Sequence, residues 1–147
     1  MGRNFRALLE ERWTKGLHVC VGLDTDPVKI PECARLGNIE ETIAGFNSRI
    51  LEAVGDITAT VKPNSAFYEG VANTTRPEDF AAGFHALRRT FEALRQKAPD
   101  VPGILDFKRG DIGATNNGYV GYASGMHADA VRKRLLLRRF GSLAALA

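Results

Sequence analysis

The chain has 147 residues, with 20 Lys plus Arg against 17 Asp plus Glu and a formal net charge of +3. Apolar residues make up 44% and charged residues 25%, which excludes general disorder and, at this length, predicts a single domain. No apolar run approaches the roughly 18 residues of a bilayer span, and the N-terminus MGRNFRALLEERW scatters charge where a secretory signal needs an apolar core, so the sequence predicts a cytoplasmic protein.

Cys20 and Cys33 form no CxxC pair and have no His cluster near them in sequence. They read as reduced thiols, buried or incidental, and exclude a disulfide framework or zinc site. The first periodic segment is 3–15, where Phe5, Leu8, Leu9 and Trp13 fall at helical spacing as core residues and Gly16 stands as the stop. LHVCVGL, 17–23, predicts a buried strand, and 24–37, with Pro27, Pro31 and Gly37, a loop. Asn38, with Glu41 three residues on, opens a helix over 39–54 through a capping box. Its stripe is Ile39, Ile43, Phe46, Ile50 and Val54.

The pattern then repeats. ITATVKP, 57–63, predicts a strand ending at Pro63, followed by a polar connection over 64–76 with one aromatic turn at Phe67 and Tyr68. Pro77 opens a helix to about Ala98, with Phe80, Phe84, Leu87, Phe91 and Leu94 on one face. VPGILDFK, 101–108, is the third strand, RGDIGATNNGY a glycine-rich loop leading to a short helix through about Ser124, and ADAV, 128–131, the start of a fourth strand.

Alternating β and α segments with continuous apolar strands call for an α/β fold with a parallel sheet and right-handed crossovers. An open doubly wound sheet and part of a (β/α)₈ barrel both satisfy this. No GxGxxG or Walker loop follows the first strand, which weakens the nucleotide-binding sheets. The strands instead carry charge at their C-terminal ends: Asp24, Lys62, Asp106 and Lys108. That pattern predicts the catalytic face of a barrel, and about four strands make the N-terminal half of one.

In a strand, Asp106 and Lys108 share a face, with Phe107 packing outward. With Lys62 on the neighbouring strand and Asp111 in the following loop, two carboxylates and two ammonium groups are expected to converge, each neutralising the next. His85 is expected to be solvated, and His127 to cap or hydrogen-bond before the fourth strand.

The segments LDFKRGDIGATNNGY (105–119), VGLDTD (21–26) and VKPNSAFYE (61–69) resemble those of orotidine 5′-phosphate decarboxylases, in the wording of the longer bacterial branch. The resemblance runs through 1–131. It implies a TIM barrel that converts orotidine 5′-phosphate to uridine 5′-phosphate and CO₂ in pyrimidine biosynthesis, without cofactor or metal. It implies that Lys108 stabilises the carbanion and protonates it, and that Asp106 faces the departing carboxylate. Lys62 and Asp24 would hold the ribose hydroxyls. Asp111, Ile112 and Thr115 would reach into the site of a second subunit of a homodimer.

The charge is uneven. Arg132, Lys133, Arg134, Arg138 and Arg139 leave 15 basic residues against all 17 acidic ones in 1–131, a net of −2 there. The resemblance stops at the same point: where the family continues close to Thr-Val-Asn-Pro-Tyr, this chain reads Arg132-Lys133-Arg134. Codons CGT-AAA-CGT read one base later contain GTA-AAC, Val-Asn. The expectation is therefore a frameshift, with 132–147 a basic tail foreign to the fold, a lost second half and a chain that is not a competent decarboxylase alone. The rival readings are a sugar-phosphate decarboxylase or synthase of the same superfamily, and a non-enzymatic α/β fragment whose RKRLLLRR tail binds nucleic acid or an anionic membrane. DIGATNN argues against the first. The second is disfavoured because no aromatic lies within the tail for base stacking and its leucines are consecutive, so no nucleic-acid or membrane partner is expected.

Overall fold

A computed structural model describes residues 3–73, 79–109, 113–132 and 143–145. Helix α1 spans Phe5–Thr14, capped by Asn4, whose side chain accepts from the Ala7 N–H, and closed by Gly16 at φ 75°. Its inward residue near the end is Arg12, not Trp13. Trp13 is 48% exposed, while Arg12 is buried and donates to the carbonyls of Thr58 and Gly55 and to Asp100. That position faces carbonyls left over at the end of the next helix, which need donors more than apolar contact.

Strand β1 is Cys20–Gly22, helix α2 Ile39–Val54 and strand β2 Thr60–Lys62. Asn38 caps α2 by accepting from the Glu41 N–H, as the capping box requires. Residues 24–37 are not plain loop, since two 3₁₀ turns form at Pro27–Lys29 and Glu32–Ala34, the first capped by Asp26. Likewise 64–76 begins with helix α3, Ser65–Glu69, and a 3₁₀ turn at Gly70–Asn73. Helix α4 is Asp79–Lys97, with Leu87, Phe91 and Leu94 buried. Pro77 lies outside the described residues.

Strand β3 is Ile104–Asp106, helix α5 Gly113–Gly125, strand β4 Ala130–Arg132 and strand β5 Leu143–Ala145. GATNNGY is thus helical rather than loop, with the glycines inside α5. β1 and β2 are parallel with Gly22 opposite Lys62, and β3 and β4 are parallel with Asp106 opposite Arg132. Parallel bridges Val61–Gly103 and Asn64–Asp106 join the two pairs, so the order is β1-β2-β3-β4. β5 adds antiparallel on β4.

The core lies between this sheet and the helices: Ile43 and Leu51 of α2, Leu87, Phe91 and Leu94 of α4, and Val61 and Leu105 of the strands. Two glycines set the helix spacing. A Cβ on Gly83 would lie 1.9 Å from the Tyr68 carbonyl, and one on Gly103 2.7 Å from Leu94 Cδ2. Phe107 packs outward as expected, stacked with Tyr122 and edge-on to Tyr119, both at 6.1 Å between ring centres.

β1 departs from its expected burial. Cys20 and Gly22 are exposed and Val19 is 59% exposed. The strand pairs on one side only among the described residues, so its apolar run faces solvent where a closed sheet would cover it. Both cysteines are free and exposed, which corrects the buried alternative.

Candidate active site

The chemistry gathers on one carboxylate at the end of β3. Asp106 is buried, and its Oδ2 accepts from Lys62 Nζ at 3.0 Å, Lys108 Nζ at 3.2 Å and Arg132 Nη1 at 3.1 Å. Each cation reaches it by a different route. Lys62 ends β2, whose neighbour across the Val61–Gly103 bridge is β3. Arg132 ends β4 directly opposite Asp106 in the parallel register. Lys108 lies past the strand, which stops at Asp106, and a left-handed φ of 50° returns its side chain to the carboxylate two residues earlier. Lys108 and Asp106 thus meet through this turn and not by sharing a strand face.

Burial opposes ionisation of Asp106. The hydrogen bonds from Lys62 and Lys108, the charge of Lys62 and the Arg132 bond outweigh it, holding the carboxyl below the ordinary aspartate range. Oδ1 is buried with no hydrogen-bond partner among the described residues.

Of the expected array of two carboxylates and two ammonium groups, the described residues bring together Asp106, Lys62 and Lys108, with the Arg132 guanidinium as a further cation. Asp24 is exposed and pairs with none of them. It lies at the edge of the same face: a Cβ on Gly22, which is opposite Lys62, would be 3.9 Å from Asp24 Oδ1. Asp111 and Ile112 lie outside the described residues. Thr115 is exposed in the first turn of α5.

Three features of the site were not read from the sequence. Arg132, read as the first residue of the basic tail, ends β4 and reaches Asp106 through the parallel register. Arg109 pairs with Glu69, from the end of VKPNSAFYE, and its guanidinium stands 5.8 Å over the Tyr122 ring. The Tyr122 hydroxyl is buried with no hydrogen-bond partner among the described residues, and its pKa is pushed up to about 12 by burial and the Glu69 charge against the pull of Arg109. His85 is exposed as expected and meets Glu40 at 3.2 Å. His127 adopts φ 61° and donates its backbone N–H to Ser124. Among the described residues no group of three or more His, Cys, Asp or Glu could hold a metal ion, and no helix is long and apolar enough to cross a membrane.

The model of the orotidine 5′-phosphate decarboxylase / HUMPS family matches residues 17–144. The chain belongs to this family. A curated relative from Porphyromonas gingivalis, named orotidine 5′-phosphate decarboxylase, is 38% identical over 114 residues, 78% of this chain and 38% of the relative. Another of that name, from Parabacteroides distasonis, is 40% identical over 116 residues, 79% of this chain and 38% of its own.

Two solved structures from Leishmania donovani, an OMP decarboxylase and a UMP synthase, both superpose with TM-score 0.67 at 28% identity. They match 89% and 88% of this chain, and 44% and 24% of their own. The chain spans about two-fifths of the length of the curated relatives it matches. The family membership bears out the partial TIM barrel, with four parallel strands and their helices in barrel order.

Proposed function

We propose that this chain carries the lysine–aspartate centre of an orotidine 5′-phosphate decarboxylase. The observation that carries the reading is the meeting of Lys62 Nζ and Lys108 Nζ on one buried oxygen of Asp106 at 3.0 and 3.2 Å. Losing CO₂ from a pyrimidine carbon leaves an electron pair on that carbon. A fixed ammonium group beside it stabilises the charge as it develops and then supplies the proton. Lys108 takes that role, being 42% exposed and held against Asp106 at 3.2 Å. Asp106 holds both lysines and faces the departing carboxylate. Lys62, at the end of β2, and Asp24, two residues past the end of β1, hold the ribose hydroxyls. The reading calls on no cofactor or metal, since fixed charges supply the stabilisation.

The same reading takes the protein to a homodimer in which Asp111, Ile112 and Thr115 reach the partner's site. What supports it is the exposure of Thr115 in the first turn of α5, the helix that follows 110–112. Residues 132–147 are read as departing from the family's own fourth strand. Arg132 puts a third cation where one carboxylate already serves two.

The substrate is tested with a chimera joining residues 1–131 to the C-terminal strands of the Parabacteroides distasonis relative. It is expected to convert orotidine 5′-phosphate to uridine 5′-phosphate, followed by pyrimidine absorbance. Conversion of a sugar phosphate instead would overturn the assignment. The 147-residue chain is expected to turn over far more slowly, because β1 presents an unpaired, half-exposed edge.

A further inference from the structure

Away from the charge cluster, four elements meet at one buried amide. Asn47, in the middle of α2, is 0% exposed. Its Oδ1 accepts from the Thr25 hydroxyl at 2.5 Å, and its Nδ2 donates to Tyr68 Oη at 2.8 Å and to Thr90 Oγ1 at 2.9 Å. Tyr68 donates onward to the Leu23 carbonyl at 2.9 Å, and Thr90 to the Ala86 carbonyl at 2.8 Å. Both amide protons are therefore used, and α2, α3, α4 and the segment after β1 are tied at one point. An apolar core would hold these elements without it. A fully satisfied buried polar network adds directional control of the groups it bonds.

The groups it bonds flank Asp24. Leu23 is held through its carbonyl and Thr25 through its hydroxyl, and both are buried, 3% and 7% exposed. Asp24 between them is exposed. With Leu23 and Thr25 drawn inward on either side of it, Asp24 is the residue of the three left outward. There it lies over Gly22, opposite Lys62, and the Leu23 N–H donates to the Lys62 carbonyl at 3.3 Å.

We infer that Asn47, Thr25, Tyr68 and Thr90 form a positioning network that fixes the direction of the Asp24 carboxylate toward the Lys62 face. The inference takes from the proposed function only the ligand role of Asp24.

The molecule carries its own probe. The Cys20 thiol, accessible on the strand that carries Gly22, is raised above its ordinary pKa by partial desolvation, with Lys62 lowering it and Asp24 raising it. In a Cys33→Ser background, the pH dependence of Cys20 alkylation therefore reports where the Asp24 charge sits. Asp24→Asn is expected to lower the Cys20 pKa. Thr25→Val, which replaces the hydroxyl by a methyl of similar size, is expected to move it the same way, and Thr25→Ser to leave it at the parent value. Tyr68→Phe serves as the second lesion, with far-UV circular dichroism as the check on folding.

If Asp24→Asn shifts the thiol while folded Thr25→Val and Tyr68→Phe do not, the network is structural only and the inference is wrong. It also fails if Asp24→Asn itself leaves the thiol unmoved. Adding uridine 5′-phosphate to the same samples separates this from the functional reading. If the nucleotide changes no Cys20 titration, the ligand role of Asp24 fails, while the positioning stands on the ligand-free shifts.

Discussion

Replacing Asp106 by Asn removes a negative charge shared by three cations and leaves the shape nearly unchanged. Lys62, Lys108 and Arg132 each lie close to 3 Å from the same oxygen. At an effective dielectric of about 20, a unit pair at about 4 Å interacts by about 4 kcal/mol before desolvation is counted. Breaking a fully buried pair by removing one partner costs about 3–5 kcal/mol. Here the cations are 27%, 42% and 52% exposed and regain water when the carboxylate goes. Screening at exposed partners lowers the figure, and the expected loss at pH 7 is about 2 kcal/mol.

The pH dependence sharpens the test. The Asp106 carboxyl is held below its ordinary value in the folded chain. Its contribution is then full above the unfolded value of about 3.9 and disappears as pH falls through the lower folded value. Urea unfolding of the parent and Asp106→Asn should therefore show a gap at pH 7 that narrows below about pH 4. A variant as stable as the parent at pH 7, or a gap that does not change with pH, would refute the electrostatic account of the cluster.

Three further outcomes follow from the packing. Gly83→Ala places a methyl 1.9 Å from the Tyr68 carbonyl, so α3 and α4 must part; a loss of about 3 kcal/mol or more is expected in thermal melts. Arg12→Met keeps the apolar stem but leaves the buried Gly55 and Thr58 carbonyls without their donor, with an expected loss of about 2–4 kcal/mol by urea unfolding. Burial raises the Tyr68 hydroxyl to about 12 despite hydrogen bonds from its neighbours; the folded state then holds a proton the unfolded chain releases near pH 10, so stability falls as pH rises from about 10 to 12, and Tyr68→Phe should flatten that fall.

Much of the fold was legible because its signals are local. The capping box at Asn38, the stop at Gly16 and the stripe of α4 depend on residues a turn or two apart. The same is true of charge at strand ends, which brought Lys62, Asp106 and Lys108 together. What was missed depends on partners distant in the chain. Trp13 reads as core by spacing, yet Arg12 takes the inward place because carbonyls some 43–46 residues away need a donor. β1 reads as buried, yet burial of a strand is decided by what lies on both its sides. GATNNGY reads as loop from its glycines, whose low helix propensity is a weak prior against packing of Ala123 and Tyr122 on the core. Arg132 was set aside for its charge, while the parallel register that carries it to Asp106 is visible only in three dimensions.

The central claim is that Lys108 delivers charge stabilisation and a proton to the reacting carbon. The direct measurement is single-turnover decarboxylation of orotidine 5′-phosphate by the chimera carrying residues 1–131, compared with its Lys108→Ala and Lys62→Ala forms. The account predicts that Lys108→Ala lowers the chemical rate by about 10²–10⁴-fold or more, the range of a positioned general acid, while Lys62→Ala acts chiefly on KM. A Lys108→Ala chimera that still releases CO₂ at the parent rate would contradict it.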